Sequence, residues 1–291
     1  MSKTGGWTIE NYEYDELRES VRNRPGMYFG SVDIVGLHNA TMDLVYHCVE
    51  NQKKEIGIVI NGSDIAINHE GDELKSSFVT DIVKSACKSF DYSNSQYRFS
   101  FDEGIFQSTE PSADALFDTL RELAFLNKHL KIRFNEHDFH YKNGLMDLYQ
   151  YLKIKAGFYW YDNHHPIGFH AIEGEMELDA VFAAAYCLDP CIFSYANNQK
   201  TEEHGSHVRG FFAGLNQAVK SFRQSTEQKK KYKYDGIALI IHVKVQNPQY
   251  AGETKRKLDD YEVYGFAKKV TEDNLSRILS ENPGIVSFYI K

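Results

Sequence analysis

Cysteine is scarce: the chain has four, at positions 48, 87, 187 and 191. Cys187 and Cys191 lie four apart with no second pair nearby, so the spacing argues against a zinc site. No apolar run approaches the about 18 residues of a membrane-spanning helix, and no secretory apolar stretch follows the start. The expected compartment is cytoplasmic, with reduced thiols. A positive excess is also missing. Lys and Arg number 33 against 41 Asp and Glu, giving a net charge of −8 and an isoelectric point near 5.8. Global attraction to nucleic acid is thereby excluded, and any such contact must be local. The best local run is Lys229, Lys230, Lys231 and Lys233 behind Arg223, a pattern more often found as a solvated loop. Internal repeats and low-complexity tracts are absent.

What is present is ordinary for a folded protein. Hydrophobic residues make up 42% and charged residues 25%, and 291 residues are enough for two domains. Tyr and Phe, 19 of each, imply an aromatic-rich core. The competing reading, a base-stacking platform, needs exposed rings beside basic residues.

Periodicity predicts the following elements. Residues 1–13 read as a polar arm containing Trp7, Ile9 and Tyr12. Tyr14 to Asn23 has helical spacing through Leu17 and Val21, and Pro25-Gly26 is expected to stop it. A second helix runs from about Leu37 to Asn51. Glu55 to Ile60 and Asp64 to Asn68 flank Asn61-Gly62-Ser63 as a hairpin. Phe78 to Phe90 reads as one helix and Gln96 to Phe101 as a strand. The stretch Glu110 to Ala115, with Pro111, is the expected domain boundary. Beyond it come a helix over Leu116 to Leu126, a hairpin over Lys131 to Tyr141 and a helix over Leu145 to Leu152. Strands follow at Gly168 to Glu173, Met176 to Ala184, Cys191 to Asn197 and Gly236 to Val245. Helices are expected at Val208 to Phe222, capped by Ser206, and at Lys268 to Ser280.

Four collinear phrases resemble the family of DNA gyrase B and its topoisomerase IV counterpart. They are VRNRPGMYFG (Val21 to Gly30) with Gly36-Leu37-His38 behind it, LRELAFLN (Leu120 to Asn127) with Phe139-His140-Tyr141, SYANNQKTEEHGSHVRGF (Ser194 to Phe211), and Asp235 to Val263. The resemblance implies an α/β fold of two sandwiches. A reduced GHKL-type ATPase domain over 14–112, behind the arm of 1–13, would be followed by a ribosomal S5 second-domain-like transducer over 113–291. It also implies a family site that uses ATP and Mg²⁺. There a Glu activates the attacking water, an Asn one turn on holds Mg²⁺, an Asp reads adenine, glycine-rich turns cradle the phosphates and a transducer Lys reaches the γ-phosphate.

Transferred residue by residue, this site is altered. Asp43 stands for the Glu, shorter by one methylene, and His47 for the Asn. His69-Glu70-Gly71-Asp72-Glu73-Leu74 stands for the family's Asp-Asp-Gly-Arg-Gly-Ile, which places His69 at the adenine-reading position and two new acids beside it. The glycine phosphate loop and lid have no counterpart. Lys255, in Glu253-Thr254-Lys255, is the one catalytic group retained. The sequence therefore offers Asp43 and Lys255 as catalytic remnants and His47, His69, Glu70 and Gly71 as a degenerate nucleotide pocket. No metal site is expected. Asp43, His47 and His69 converging as two imidazoles and a carboxylate is the alternative to a polar remnant. His204 and His207 form a second pair, with His207 read as structural, and His164-His165 a third.

Three functional classes remain open. The first is a pseudo-ATPase that binds a protein, such as a topoisomerase subunit, without bound ATP or Mg²⁺. The second is a weak ATP-hydrolysing module built on Asp43 and Lys255. The third is a DNA-associated protein making weak contacts through the transducer. No membrane partner is expected, strand passage by the chain alone is not expected, and any homodimer should be independent of nucleotide.

Overall fold

The computed structural model of the chain describes residues 13–155, 166–184, 191–225, 237–252 and 255–282. Two compact units divide it, Met1–Lys142 and Asn143–Lys291.

In the first unit, α1 (Tyr14–Asn23) buries Leu17 and Val21 from one face. Pro25 was expected only to end this helix. It also opens α2 (Pro25–Phe29), because proline's missing N–H costs nothing at the first helical position and its fixed φ suits it. Gly30, at φ +77°, ends that turn. The carboxylate of Asp33 caps α3 (Ile34–Glu50), accepting from the Val35 N–H at 2.9 Å. The hairpin of β1 (Glu55–Asn61) and β2 (Asp64–His69) turns through Gly62 at φ +61°. Its alternation sends Ile56, Ile58, Ile65 and Ile67 inward, each at most 2% exposed. Such a side chain contributes about 1.5–3 kcal/mol on burial.

The helix expected over Phe78 to Phe90 is two elements. Ser77 and Thr80 form a reciprocal capping box for α4 (Phe78–Ser85), and β3 (Cys87–Ser93) follows at once. The apolar spacing of Val79, Ile82, Val83 and Ala86 runs on to Phe90 by accident of period. After a register shift between Cys87 and Ser89 the pattern alternates, and Phe90 and Tyr92 pack against the core as β3 pairs with β4 (Gln96–Phe101). α5 (Ala113–Leu126), β5 (Lys131–Phe134) and β6 (His137–Phe139) complete the unit. The sheet order is β3-β4-β2-β1-β5-β6, with β1 and β5 parallel and the other pairs antiparallel. That parallel pair moves the division of the chain from the expected 112/113 to 142/143. Pro111 marks a loop inside the first unit, and α5 through β6 share its core.

The second unit begins with α6 (Leu145–Lys155). Its sheet comprises β7 (Ile167–Glu173), β8 (Met176–Ala184), β9 (Cys191–Ala196), β10 (Gln199–Lys200) and β11 (Ile237–Lys244), in the order β10-β9-β11-β8-β7. α7 (Ser206–Ser225) and α8 (Tyr261–Glu281) lie against one another. α8 starts seven residues before the expected Lys268, because Asp260 caps it by accepting from the N–H groups of Glu262 and Val263. Ser206, expected as a cap, is the first helical residue. Its Oγ instead accepts the Asp260 N–H at 2.8 Å and joins the two helix starts. Among the described residues no helix is long and apolar enough to cross a membrane.

Gly210 and Gly214, one turn apart on α7, let the helices touch backbone to backbone. A Cβ at Gly214 would stand 2.3 Å from the Lys268 carbonyl oxygen. Gly265, on the exposed side of α8, has nothing within 4 Å of that position. Gly214→Ala should therefore destabilise the chain by about 1–3 kcal/mol through overpacking. Gly265→Ala should stabilise it by about 0.5–1 kcal/mol. Urea unfolding of both variants checks this, and equal shifts of one sign would contradict it.

Candidate functional site

The candidate residues sit where α3 and the end of β2 approach the β3–β4 hairpin. Asp43 and His47 are one turn apart on α3, with Asp43 half-buried and His47 buried. His69 closes β2 and is 5% exposed.

The protons of His69 follow from its neighbours. Its Nδ1 faces the Glu70 carbonyl at 3.3 Å, an atom that only accepts, so Nδ1 carries the hydrogen. Burial holds the imidazole below its ordinary pKa, which favours the neutral ring with Nε2 bare. The Tyr92 hydroxyl, 2.9 Å away, donates to it. The same oxygen accepts the Leu74 N–H at 2.6 Å. Tyr92 also stacks on Tyr97, with centroids 4.3 Å apart. The adjacent cavity, about 280 Å³, is lined by Leu74, Tyr92 and Tyr97 among others, and by none of Asp43, His47 or His69.

His47 has the opposite tautomer. The Asn51 amide donates both to the His47 carbonyl at 2.8 Å and to His47 Nδ1 at 3.3 Å, which leaves the hydrogen on Nε2. Nε2 is buried and makes no hydrogen bond of ordinary geometry among the described residues, only the weaker approach of the Lys75 backbone. Burial lowers this pKa too, opposed by the Lys75 backbone and by Glu50. Two imidazoles whose burial favours the neutral form thus lie near one another. Asp43 adds its charge near Tyr46, whose hydroxyl is pushed above its usual range mainly by burial and then by Asp43 and Glu122.

Glu70 is not part of this cluster. Successive strand residues point to opposite faces, so Glu70 turns away from the core and shares a cavity of about 570 Å³ with Glu55 and Lys131. There Glu55 raises the Glu70 pKa, while Lys131 lowers that of Glu55. Gly71 takes φ +84°, and its turn is tied down on three sides. Lys53 donates to the Asp72 carbonyl, Ser95 Oγ to the Gly71 carbonyl at 3.1 Å, and the Asn94 N–H to Glu73 Oε1 at 3.0 Å. Residues 72–77 alone connect this turn to α4, and Gly71 is the only glycine between Gly62 and Gly104.

Lys255 belongs to the second unit. It is exposed, at φ +55°, and its N–H donates to the Gly252 carbonyl at 3.2 Å. Glu253 and Thr254, the arm residues Trp7, Ile9 and Tyr12, the run Lys229 to Lys233, and His164-His165 lie outside the described residues, as does the Arg223 side chain. Asp43, His47 and His69 do not form a shared donor set. The described residues that do are His170, Glu177 and Asp179, which sequence spacing does not reveal because only strand register brings them together.

His204 and His207 support a turn. Ser194 Oγ meets His204 Nδ1 at 2.9 Å, and Thr201 Oγ1 meets His207 Nε2 at 3.4 Å. His207 is fully buried, and burial, then His204 and His242, pushes its pKa down to about 3.

Two successive α/β units of these topologies define the nucleotide-binding and transducer architecture of type II topoisomerases. The 43K ATPase domain of Thermus thermophilus gyrase B, solved with an aminocoumarin, superposes with a TM-score of 0.79 at 21% identity, covering 94% of this chain and 92% of that one. The topoisomerase IV ATP-binding domain of Francisella tularensis gives 0.73 at 21%, covering 93% and 95%. The family model described as DNA gyrase B matches residues 144–288. The DNA gyrase B protein of Clostridium acetobutylicum is 27% identical across 95% of this chain and 58% of its own length. Its counterpart in Cytophaga hutchinsonii is 31% identical across 66% and 44%. The chain belongs to the DNA gyrase B family, in a shortened and divergent form. It spans about half the length of the curated relatives it matches. The match to the Clostridium protein spreads about 276 residues of this chain over 378 positions, so about 100 positions of that span have no counterpart here.

The buried histidines make stability depend on pH. His207 has a folded pKa below its unfolded value of 6.5, so the unfolded chain binds the extra proton. The stability is fully present above pH 6.5 and is lost as pH falls toward 3. One such group contributes a slope of about 1.4 kcal/mol per pH unit within that window. His207→Gln should flatten the fall in melting temperature between pH 6.5 and 4.5, and an unchanged profile would contradict this.

Proposed function

We propose that this chain is a pseudo-ATPase of the gyrase B type, a binding or regulatory protein that does not use a nucleotide cycle. The observation that carries the reading is the hydrogen bond between His69 and Tyr92. The family position aligned with His69 must accept a hydrogen from the adenine amino group. His69 has one bare nitrogen, and the Tyr92 hydroxyl already uses it. At the Mg²⁺ position, His47 presents an N–H rather than a lone pair, and Mg²⁺ prefers oxygen in any case. The residues present therefore do not fit Mg-ATP.

The phosphate end supports the same reading. Six residues between Gly71 and α4 leave no length for a glycine cradle that would offer several N–H donors to a triphosphate. Asp72 and Glu73 add negative charge there. Asp43 retains the charge of the family's base and, with Lys255, is the remnant on which a weak hydrolase reading rests. Without a phosphate cradle neither has a bound γ-phosphate to act on. The partner class we propose is protein, with a topoisomerase subunit first and the nucleotide-independent homodimer second. DNA contact through the transducer is the weaker reading.

Differential scanning fluorimetry with millimolar Mg-ATP tests the proposal. A ligand at about 100 times its dissociation constant adds about 2.7 kcal/mol to stability, several degrees for a chain of this size. The expected result is no shift, and sedimentation velocity unchanged by nucleotide. A saturable shift with submillimolar affinity, lost in Asp43→Asn or His47→Ala, would overturn the reading.

A further inference from the structure

We infer that the edge of the second sheet carries a site for a divalent transition-metal ion of the Zn²⁺ type, made by His170, Glu177 and Asp179. The site is independent of the nucleotide pocket. His170 on β7 and Asp179 on β8 are direct cross-strand partners, and Glu177, two residues before Asp179, is on the same face. His170 Nδ1 lies 3.1 Å from Asp179 Oδ1 and 3.8 Å from Glu177 Oε1, and all three donor atoms are within 4.8 Å of one another. A tetrahedral ion with bonds of about 2.0–2.1 Å places its ligand atoms about 3.4 Å apart, so small rotations of three side chains suffice. The antiparallel ladder already fixes the backbones, which keeps the ordering cost low.

One imidazole and two carboxylates suit Zn²⁺, Co²⁺ or Mn²⁺ better than Mg²⁺ or Ca²⁺, which favour oxygen alone. The cluster grades outward from Asp179, 13% exposed, through Glu177, 30%, to His170, 42%. Three protein donors with one side open leave a fourth position for water. Lys244 competes for the site: its Nζ is 3.5 Å from the Glu177 oxygen that the ion would use. An entering ion must displace that ammonium, and this gives the proposal a signature that a plain ion-pair cluster lacks.

Calorimetric titration of the chelator-stripped full chain with ZnCl₂ tests the site, with Co²⁺ absorption as an independent probe. One equivalent should bind. His170→Gln and Asp179→Asn should each weaken uptake at least about tenfold, with circular dichroism unchanged. Lys244→Met should tighten it. No uptake by the natural sequence, or uptake equal in His170→Gln and Asp179→Asn, would overturn the proposal.

Discussion

The Tyr92 hydroxyl binds three segments at one point. It accepts from Leu74, on the short connection into α4, and donates to His69, at the end of β2, while its own strand is the edge of the sheet. A connection this short pulls Leu74 against the core, where its N–H needs a partner. Tyr92 supplies that partner and spends its own hydrogen on the imidazole. Both of these polar groups are satisfied from within the fold.

The second unit is held by different means. Glycines at one-turn spacing bring α7 and α8 into backbone contact, and Ser206 and Asp260 knit the starts of the two helices. Gly205, at φ +135°, lies beside Leu258 so closely that a Cβ there would be 2.1 Å from the Leu258 carbonyl. This is the phrase around His204 and His207 whose resemblance to the family is strong. Its residues are constrained by packing and by buried hydrogen bonds.

Much of the fold was legible in the sequence, because alternation and helical period report burial directly. The β1–β2 hairpin, α1 and the strands of the second sheet follow that pattern. Three features escaped for physical reasons. Phe90 continued the helical period of α4 although it belongs to β3. Pro111 resembled a linker although β5 returns to pair with β1. Ser206 resembled a cap although its Oγ serves the other helix. At the candidate site the sequence supplies Asp43, His47 and His69 and the six residues between Gly71 and α4, and their match to the family's site rests on the resemblance. The role of Tyr92 was not legible, because only the pairing of β3 with β4 and the packing of that hairpin bring its hydroxyl to His69. Glu70 falls in the pocket when matched to the family phrase, yet strand alternation turns it to the opposite face.

The proposed pseudo-ATPase reading depends on protons as much as on shape, so the ring nitrogens of His47 and His69 test it most directly. In a ¹⁵N–¹H spectrum at pH 6.5, where a free imidazole is half protonated, both rings should be less protonated than a free one. His69 should carry its hydrogen on Nδ1 and His47 on Nε2, and neither signal should move when millimolar Mg-ATP is added. A His69 with its hydrogen on Nε2, or signals that shift and saturate with nucleotide, would contradict the pseudo-ATPase reading.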